Sequence, residues 1–405
     1  MRITVLFDLD DTLIGNNMDA FLKVYLKELS QFIPNIAPQK FINDLLTATG
    51  KMAANQSPTS TLEEVFDQAF YPAIGQAKEE LGEKIHHFYE QIFPTFKYLT
   101  QPRPEAISLV ESIMQKGYEV VIATNPLFPK MATLHRLNWA GLPADRYSFE
   151  IITTYEDFHF AKPNPAYFAE ILARLGCPSN PVVMIGNSWE DDIIPAEKLG
   201  LPTFWLNGAH QANSAAPRHC LSQTGQLADI PAWLDSIAGQ AVDLPALQPD
   251  ALLAALIATP AAFDFYKRKL TDQHWQISPL ENSWSLLEIT CHLRDTEVEI
   301  YSPRLQKLIT EENPYFASID PRDWAEIRSY RSQDWRLNLE QFVIERLNSL
   351  QQLSSLPAGY WQRSGHHAEM GPITLLSLVH AIVKHDQEHL NQANQLFKTI
   401  NRPAV

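Results

Sequence analysis

The strongest constraint on this chain is a change of hydrophobic rhythm part-way along it. Up to about residue 237, short apolar runs alternate with helical stretches. From 249 onward the short runs vanish and long helical patterns replace them. The runs are "ITVLF" (3–7), "EVVIAT" (119–124), "FEIIT" (149–153), "PVVMIG" (181–186) and "PTFWL" (202–206). Short, mostly apolar runs between helices predict a parallel sheet covered on both faces, the α/β class. The intervening helices are expected at 105–116, 128–139, 165–175 and 191–199, the last stopped by Gly200 and Pro202.

The first two strands lie far apart, whereas a simple crossover is short. The segment 17–100 between them reads as helices, among them "MDAFLKVYLKELSQF" and "TLEEVFDQAFYPAI". It is expected to form a helical cap, because ligands of open α/β sheets bind where the strands end. Its polar residues Asn16, Asn17, Gln68, Tyr71 and Lys97 are candidates for substrate contacts. Residues 238–248, "AGQAVDLPALQ", lack periodicity and read as a linker. Beyond it, helices at 250–269, 283–309, 337–354 and 373–398 predict an all-α, up-and-down four-helix bundle. The expected domains are therefore 1–237 and 249–405. The connection at 310–336 is long, aromatic and irregular.

Charge and cysteine content exclude several classes. The net charge of −15, without basic runs, argues against nucleic-acid binding. Only three cysteines occur, Cys177, Cys220 and Cys291, widely spaced, so neither disulfides nor thiolate zinc sites are expected. No stretch reaches membrane-spanning length, and the apolar start is too short for a signal peptide. A cytoplasmic protein without membrane partners is the expectation.

Four polar constellations fall at one edge of the expected sheet. "DLDDT" follows the first strand, "TNP" the second and "GNSWEDD" the fourth, while Lys162 stands in "AKPNPAYF". Convergence of this kind points to a site. The motifs, in this order, resemble the haloacid dehalogenase (HAD) superfamily of hydrolases across residues 1–237. That resemblance implies a three-layer Rossmann-like core, with Asp8 as nucleophile and Asp10 as acid/base. It implies a hydroxyl at Thr124, the family lysine at Lys162, and Mg2+ held by Asp8, Asp10 and Asp192.

The chemistry agrees. A cation between carboxylates relieves their repulsion and draws in a phosphate oxygen. Asp8 can then form an aspartyl-phosphate, and Asp10, on the same side by strand alternation, can protonate the leaving oxygen. A halide needs no such proton, so Asp10 favours a phosphatase acting on a small phosphate ester over a dehalogenase. Thr124, Asn125 and Lys162 supply donors to the phosphate. Alternation points Asp11 away, as a turn acid, and Thr12 is expected to bond locally. The family's last motif often reads G-D-S, but here Asn187 replaces the first acid. Asp192 remains, with Asp191 and Asn187 as further metal candidates. A degenerate HAD domain that only binds is the alternative.

In the second half, "VHAIVKHDQEHLNQ" sets His385 and His389 one helical turn apart, a chelating spacing. His292 lies on another long helix, and three histidines from two helices of a bundle favour a metal site. "WSLLEITCHLRDTE", "RSGHHAEMGPITL" and "HDQEHLNQ" resemble the DinB/YfiT-like superfamily over 249–405. The resemblance implies a divalent metal, Zn2+ or Ni2+, held by His292, His385 and His389 with an open position. It also implies a thiol-dependent transferase or isomerase using a low-molecular-weight thiol as one alternative. The other alternative is a non-catalytic module for ligand sensing or homodimer formation. Asp295, Glu297 and Glu388 are either a solvated, salt-bridged face or partners of the ligands. His366 and His367 are expected in a loop, and His380 points off the ligand face.

Overall fold

In a computed structural model of the chain, which describes residues 2–33, 35–206, 219–240, 242–278 and 283–401, the apolar runs become strands. The chain divides into two compact units, Met1–Phe168 with Ser179–Leu244, and Ala169–Pro178 with Pro245–Val405. Position 241 of the expected linker lies outside the described residues.

The strands of the first unit are β1 (Thr4–Phe7), β2 (Ile14–Asn16), β3 (Thr100–Pro102), β4 (Glu119–Ile122), β5 (Ile151–Ile152), β6 (Val182–Gly186), β7 (Thr203–Leu206) and β8 (Gln223–Gly225). Six of them make one parallel sheet in the order β5-β4-β1-β6-β7-β8. β1 is central and wholly buried, with Phe7 level with Ile122 on one side and Ile185 on the other. Burial of each such large side chain is worth roughly 1.5–3 kcal/mol, which favours this run at the centre of the sheet. The strand order reverses at β1, so β1, β4 and β6 all deliver their carboxyl ends to one crevice. β8, "QTG", is a polar edge strand that apolar patterning does not reveal.

β2 and β3 pair antiparallel, with Asn16 opposite Thr100, and the cap leaves and re-enters the core through this stalk. It consists of α1 (Met18–Phe32), α2 (Pro38–Ala53), α3 (Leu62–Ile74) and α4 (Lys78–His87), then a π turn at Phe88–Ile92 and a 3-10 turn at Phe93–Leu99. Asn17 caps α1, and Thr61 with Glu64 forms a capping box on α3. The core helices are α5 (Pro104–Gln115), α6 (Lys130–Trp139), α8 (Ile194–Leu199) and α9 (Ile230–Ile237), while α7 (Pro165–Arg174) begins in this unit and from Ala169 belongs to the second. Phe93 stacks on Trp139 of α6 at 5.3 Å, with Phe21 of α1 edge-on, so aromatic packing joins cap to core.

The second unit holds α10 (Pro249–Lys269) and α11 (Leu286–Thr296), which runs through a π turn at Glu297–Tyr301 into α12 (Ser302–Thr310). After α13 (Trp324–Ile327) come α14 (Trp335–Ser354) and α15 (Leu375–Ile400). The four long segments form the expected bundle, but the order round it is not the simple up-and-down one. α10 and α11 each pack against both α14 and α15, so α10 lies across the bundle from α11, and α14 from α15, while α11 and α14 are neighbours.

The connections carry more structure than expected. β9 (Tyr315–Phe316), β10 (Ser364–His367) and β11 (Gly371–Thr374) form a small sheet. His366 and His367 therefore sit on a strand, not in a loop. His367 is turned inward, its Nδ1 accepting from the Glu369 and Met370 amides. Among the described residues, no helix is long and apolar enough to cross a membrane.

Charge is buried inside the bundle. Arg346 of α14 donates to Glu297 Oε2 through Nε and Nη2 (3.0 and 2.8 Å) and to Asp386 Oδ2 through Nη1 (2.5 Å). Thr259 of α10 donates to the same Asp386 oxygen, and Ser349 to Glu297 Oε1. One guanidinium thus joins segments of all four bundle helices. Asp295 is buried too, bound by Arg328 and by the Tyr330 hydroxyl at 2.7 Å each. Asp295 and Glu297 are therefore not a solvated face, whereas Glu388 is exposed. Arg346→Met would strand two carboxylates in the bundle. It is expected to lower stability by about 3–5 kcal/mol, read from urea unfolding of the full chain.

Candidate active site and candidate metal centre

Asp8 leaves the end of β1, and Lys162 lies on the approach to α7. Lys162 is not a surface helix start, being almost fully buried. Its ammonium donates to Asp8 Oδ1 at 2.9 Å and to Asp192 Oδ1 at 2.6 Å. Asp192 follows β6 in a π turn, and its other oxygen accepts the Ser188 amide at 3.0 Å. Gly186 makes this fold-back possible, since a Cβ there would collide with the Asp192 carboxylate.

Burial pushes the Asp8 carboxyl up to about 7; Lys162 opposes the shift, while the charges of Asp192 and Asp10 add to it. Burial would drive the Lys162 ammonium down, but Asp192 and Asp8 overcome it and hold it above its usual range. Asp8, Asp192 and the adjoining Asp191 and Asn187 are an all-oxygen set, the donor chemistry of a hard divalent cation.

Asp10 is engaged elsewhere. One of its oxygens pairs with Arg136 of α6, and the other accepts from Asn16 Nδ2 at 3.0 Å. Arg136 escaped the sequence reading; its one signal is a lone arginine in the otherwise mostly apolar "MATLHRLNWA". It is buried, faces Phe128 at 4.9 Å, and keeps a buried, unpartnered Nε. Thr124 is held through its carbonyl by Thr153 Oγ1 (2.6 Å) and the Tyr167 hydroxyl (2.8 Å), and Asn125 Oδ1 is buried without a partner.

Asp11 is the expected turn acid, at φ 58°, its Oδ1 accepting the Asn16 amide. Thr12 does not bond locally: its hydroxyl donates to Asn187 Oδ1 at 3.2 Å. The Asn187 amide thus ties the β1 turn to the β6 turn, and its carbonyl accepts from Trp205 Nε1. Of the polar cap candidates, Tyr71 lines the cavity at the crevice; Asn16 and Asn17 serve structure, and Gln68 and Lys97 are exposed away from it.

The bundle histidines converge. His292 Nε2 and His389 Nε2 lie 3.0 and 3.2 Å from His385 Nε2, and the three ligating atoms fit within 4.8 Å. Burial pushes His292 and His385 down to about 3, and lowers His389, so all three present neutral rings. His389 Nδ1 lies 3.1 Å from Gln392 Oε1, a partner that would direct the lone pair at Nε2 inward. Trp284 stacks beside His389 at 5.8 Å. The triad could bind a metal ion.

Residues 4–200 match the haloacid dehalogenase-like hydrolase family model, and residues 255–393 match the DinB superfamily model. The chain is thus similar to haloacid dehalogenase-like hydrolases over its first part and to the DinB superfamily over its second. Among relatives of the hydrolase, glyceraldehyde 3-phosphate phosphatase of Methanothermobacter thermautotrophicus is 29% identical over 109 residues, 27% of this chain and 46% of that one. Pyrimidine 5'-nucleotidase YjjG of Escherichia coli is 33% identical over 132 residues, 32% of this chain and 56% of that one. The chain thus spans about half the length of these two relatives. Among solved structures, YfiT from Bacillus subtilis is 20% identical with a TM-score of 0.36, covering 40% of this chain and 92% of that one.

The crevice at the ends of β1 and β6 depends on Gly186. Gly186→Ala is expected to cost about 1–3 kcal/mol by overpacking, read from thermal unfolding. Gly50→Ala on α2, where nothing lies within 4 Å, should instead leave stability equal or raise it.

Proposed function

We propose that the first unit is a Mg2+-dependent phosphatase that cleaves a phosphate monoester through an aspartyl-phosphate on Asp8. The observation that carries this reading is the buried Asp8–Lys162–Asp192 cluster beside a second carboxylate, Asp10, two residues from the nucleophile. Lys162 engages Asp8 Oδ1, which leaves Oδ2 to attack phosphorus. Asp10 gives its proton to the departing alkoxide as the P–O bond breaks. It then takes a proton from the water that attacks the acyl phosphate, and inorganic phosphate leaves with Asp8 restored. For the first of these steps Arg136 must release Asp10, and the arriving phosphate is a competing anion for its guanidinium. Thr124, Asn125 and Lys162 line the same cavity and would supply donors to the phosphoryl oxygens.

Asp8 and Asp192 would hold Mg2+, with Asp10, Asp191 and Asn187 as further candidates; when bound, the ion neutralises charge on the phosphoryl group. The names of the phosphatase and nucleotidase relatives agree with a phosphate ester substrate. With the full chain, phosphate release from phenyl phosphate should require Mg2+ and vanish in Asp8→Asn. Asp10→Asn should lose about 10²–10⁴-fold in kcat. Activity that survives Asp8→Asn overturns the reading.

For the DinB domain we propose a divalent transition metal, Zn2+ or Ni2+, on the Nε2 atoms of His292, His385 and His389. Neutral imidazoles suit both ions. A ligand set of three leaves a position where water or a small thiol is activated. Metal analysis of the full chain should find about one equivalent of transition metal, and His385→Ala should weaken binding by about tenfold or more. A protein that binds neither ion refutes the assignment.

A further inference from the structure

We propose that the hydrolase site takes the phosphate monoester of an apolar alcohol, with an alkyl or aryl leaving group rather than a sugar. The proposal deepens the phosphatase reading and rests on it for its chemistry.

The crevice opens into a cavity of about 440 Å³, large enough for a leaving group well beyond a few atoms. Asp8, Asp10 and Lys162, with the neutral Thr124, form its charged end. The rest of the wall comes largely from the four cap helices. Leu22 and Leu26 lie one turn apart on α1, Leu45 and Leu46 stand on α2, Phe66 on α3 and Ile85 on α4. Leu22, Leu26, Phe66 and Ile85 are only half-buried, and Leu46 is 50% exposed. Apolar surface left wet in a concave site is surface that an apolar ligand would dry.

The polar groups of the same wall are largely spent on each other. Lys78 is paired with Asp67 at 2.5 Å and Glu63 at 2.9 Å, so it offers no free charge to a second anionic group. The Tyr25 and Tyr89 hydroxyls bond each other at 2.6 Å, and Thr49 Oγ1 donates to the Leu45 carbonyl. Apart from the charged end and Asn125 beside it, the hydroxyls of Tyr71 and Tyr155 and one Asp67 oxygen remain, fewer partners than a sugar ring needs. Sugar hydroxyls against the leucines would be dehydrated without replacement bonds.

The test uses the full chain with Mg2+ and the n-alkyl phosphates from methyl to octyl, beside ribose 5-phosphate and a nucleoside 5'-monophosphate. kcat/KM should rise about fourfold per methylene until the cavity is filled, with octyl phosphate far ahead of both polar esters. Leu46→Asp, at a half-exposed position that folding tolerates, should cut kcat/KM for octyl phosphate about tenfold or more and flatten the series. A flat series in the wild type, or preference for the sugar phosphate or nucleotide, overturns the proposal. If no ester is hydrolysed, the phosphatase reading fails, and calorimetry on the same chain decides the proposal separately. Octyl phosphate binding far more tightly than methyl phosphate upholds the apolar site, and equal affinities refute it.

Discussion

Everything in the first unit is arranged around one buried ammonium. Lys162 bridges a carboxylate at the end of β1 and another after β6, two neighbouring strands of the sheet. Three charges with almost no solvent access are costly unless their geometry is good. The fold supplies that geometry by setting β1 and β6 in register and by leaving Gly186 without a side chain where Asp192 folds back. Burial and the neighbouring charges of Asp192 and Asp10 raise the Asp8 carboxyl, so one ammonium does not fully offset the carboxylates gathered here.

The bundle solves a related problem differently. Arg346 neutralises Glu297 and Asp386 with bonds from two edges of its guanidinium, while Thr259 donates to Asp386 and Ser349 to Glu297. Asp386 adjoins His385 in the chain, so the buried ion cluster also fixes the helix that presents two of the three imidazoles. The rings themselves stay neutral. Fixed charge therefore orders the helices, while the histidines remain available as ligands.

Much of this was legible in the sequence, for physical reasons. β1, β4, β6 and β7 are buried on both faces and so read as apolar runs, and the long bundle helices carry sustained periodicity. Asp8 and Asp192 stood out as charges following strands and Lys162 as a lysine opening a helix, and the structure brings them into contact. Short polar strands were not visible: β8, at a sheet edge, and β10, central in its small sheet, read "QTG" and "SGHH", whose pairing is made by backbone rather than by side-chain burial. Arg136 and Arg346 were missed for a common reason. A buried arginine looks like any surface arginine until its carboxylate partner, 126 or 40 residues away, is brought beside it. Asn187 was read as a missing charge, whereas its amide has a definite task in joining two turns through Thr12.

The β2–β3 stalk has a consequence for how such a chain tolerates change. Where the cap departs and returns, its two ends are already zipped together by backbone pairing between Asn16 and Thr100. The entropy of closing the long excursion grows only with the logarithm of its length, so the sheet is nearly indifferent to what is threaded between those ends. The recognition wall can thus be rewritten, shortened or exchanged as a cassette, while the charged floor beneath it keeps its register.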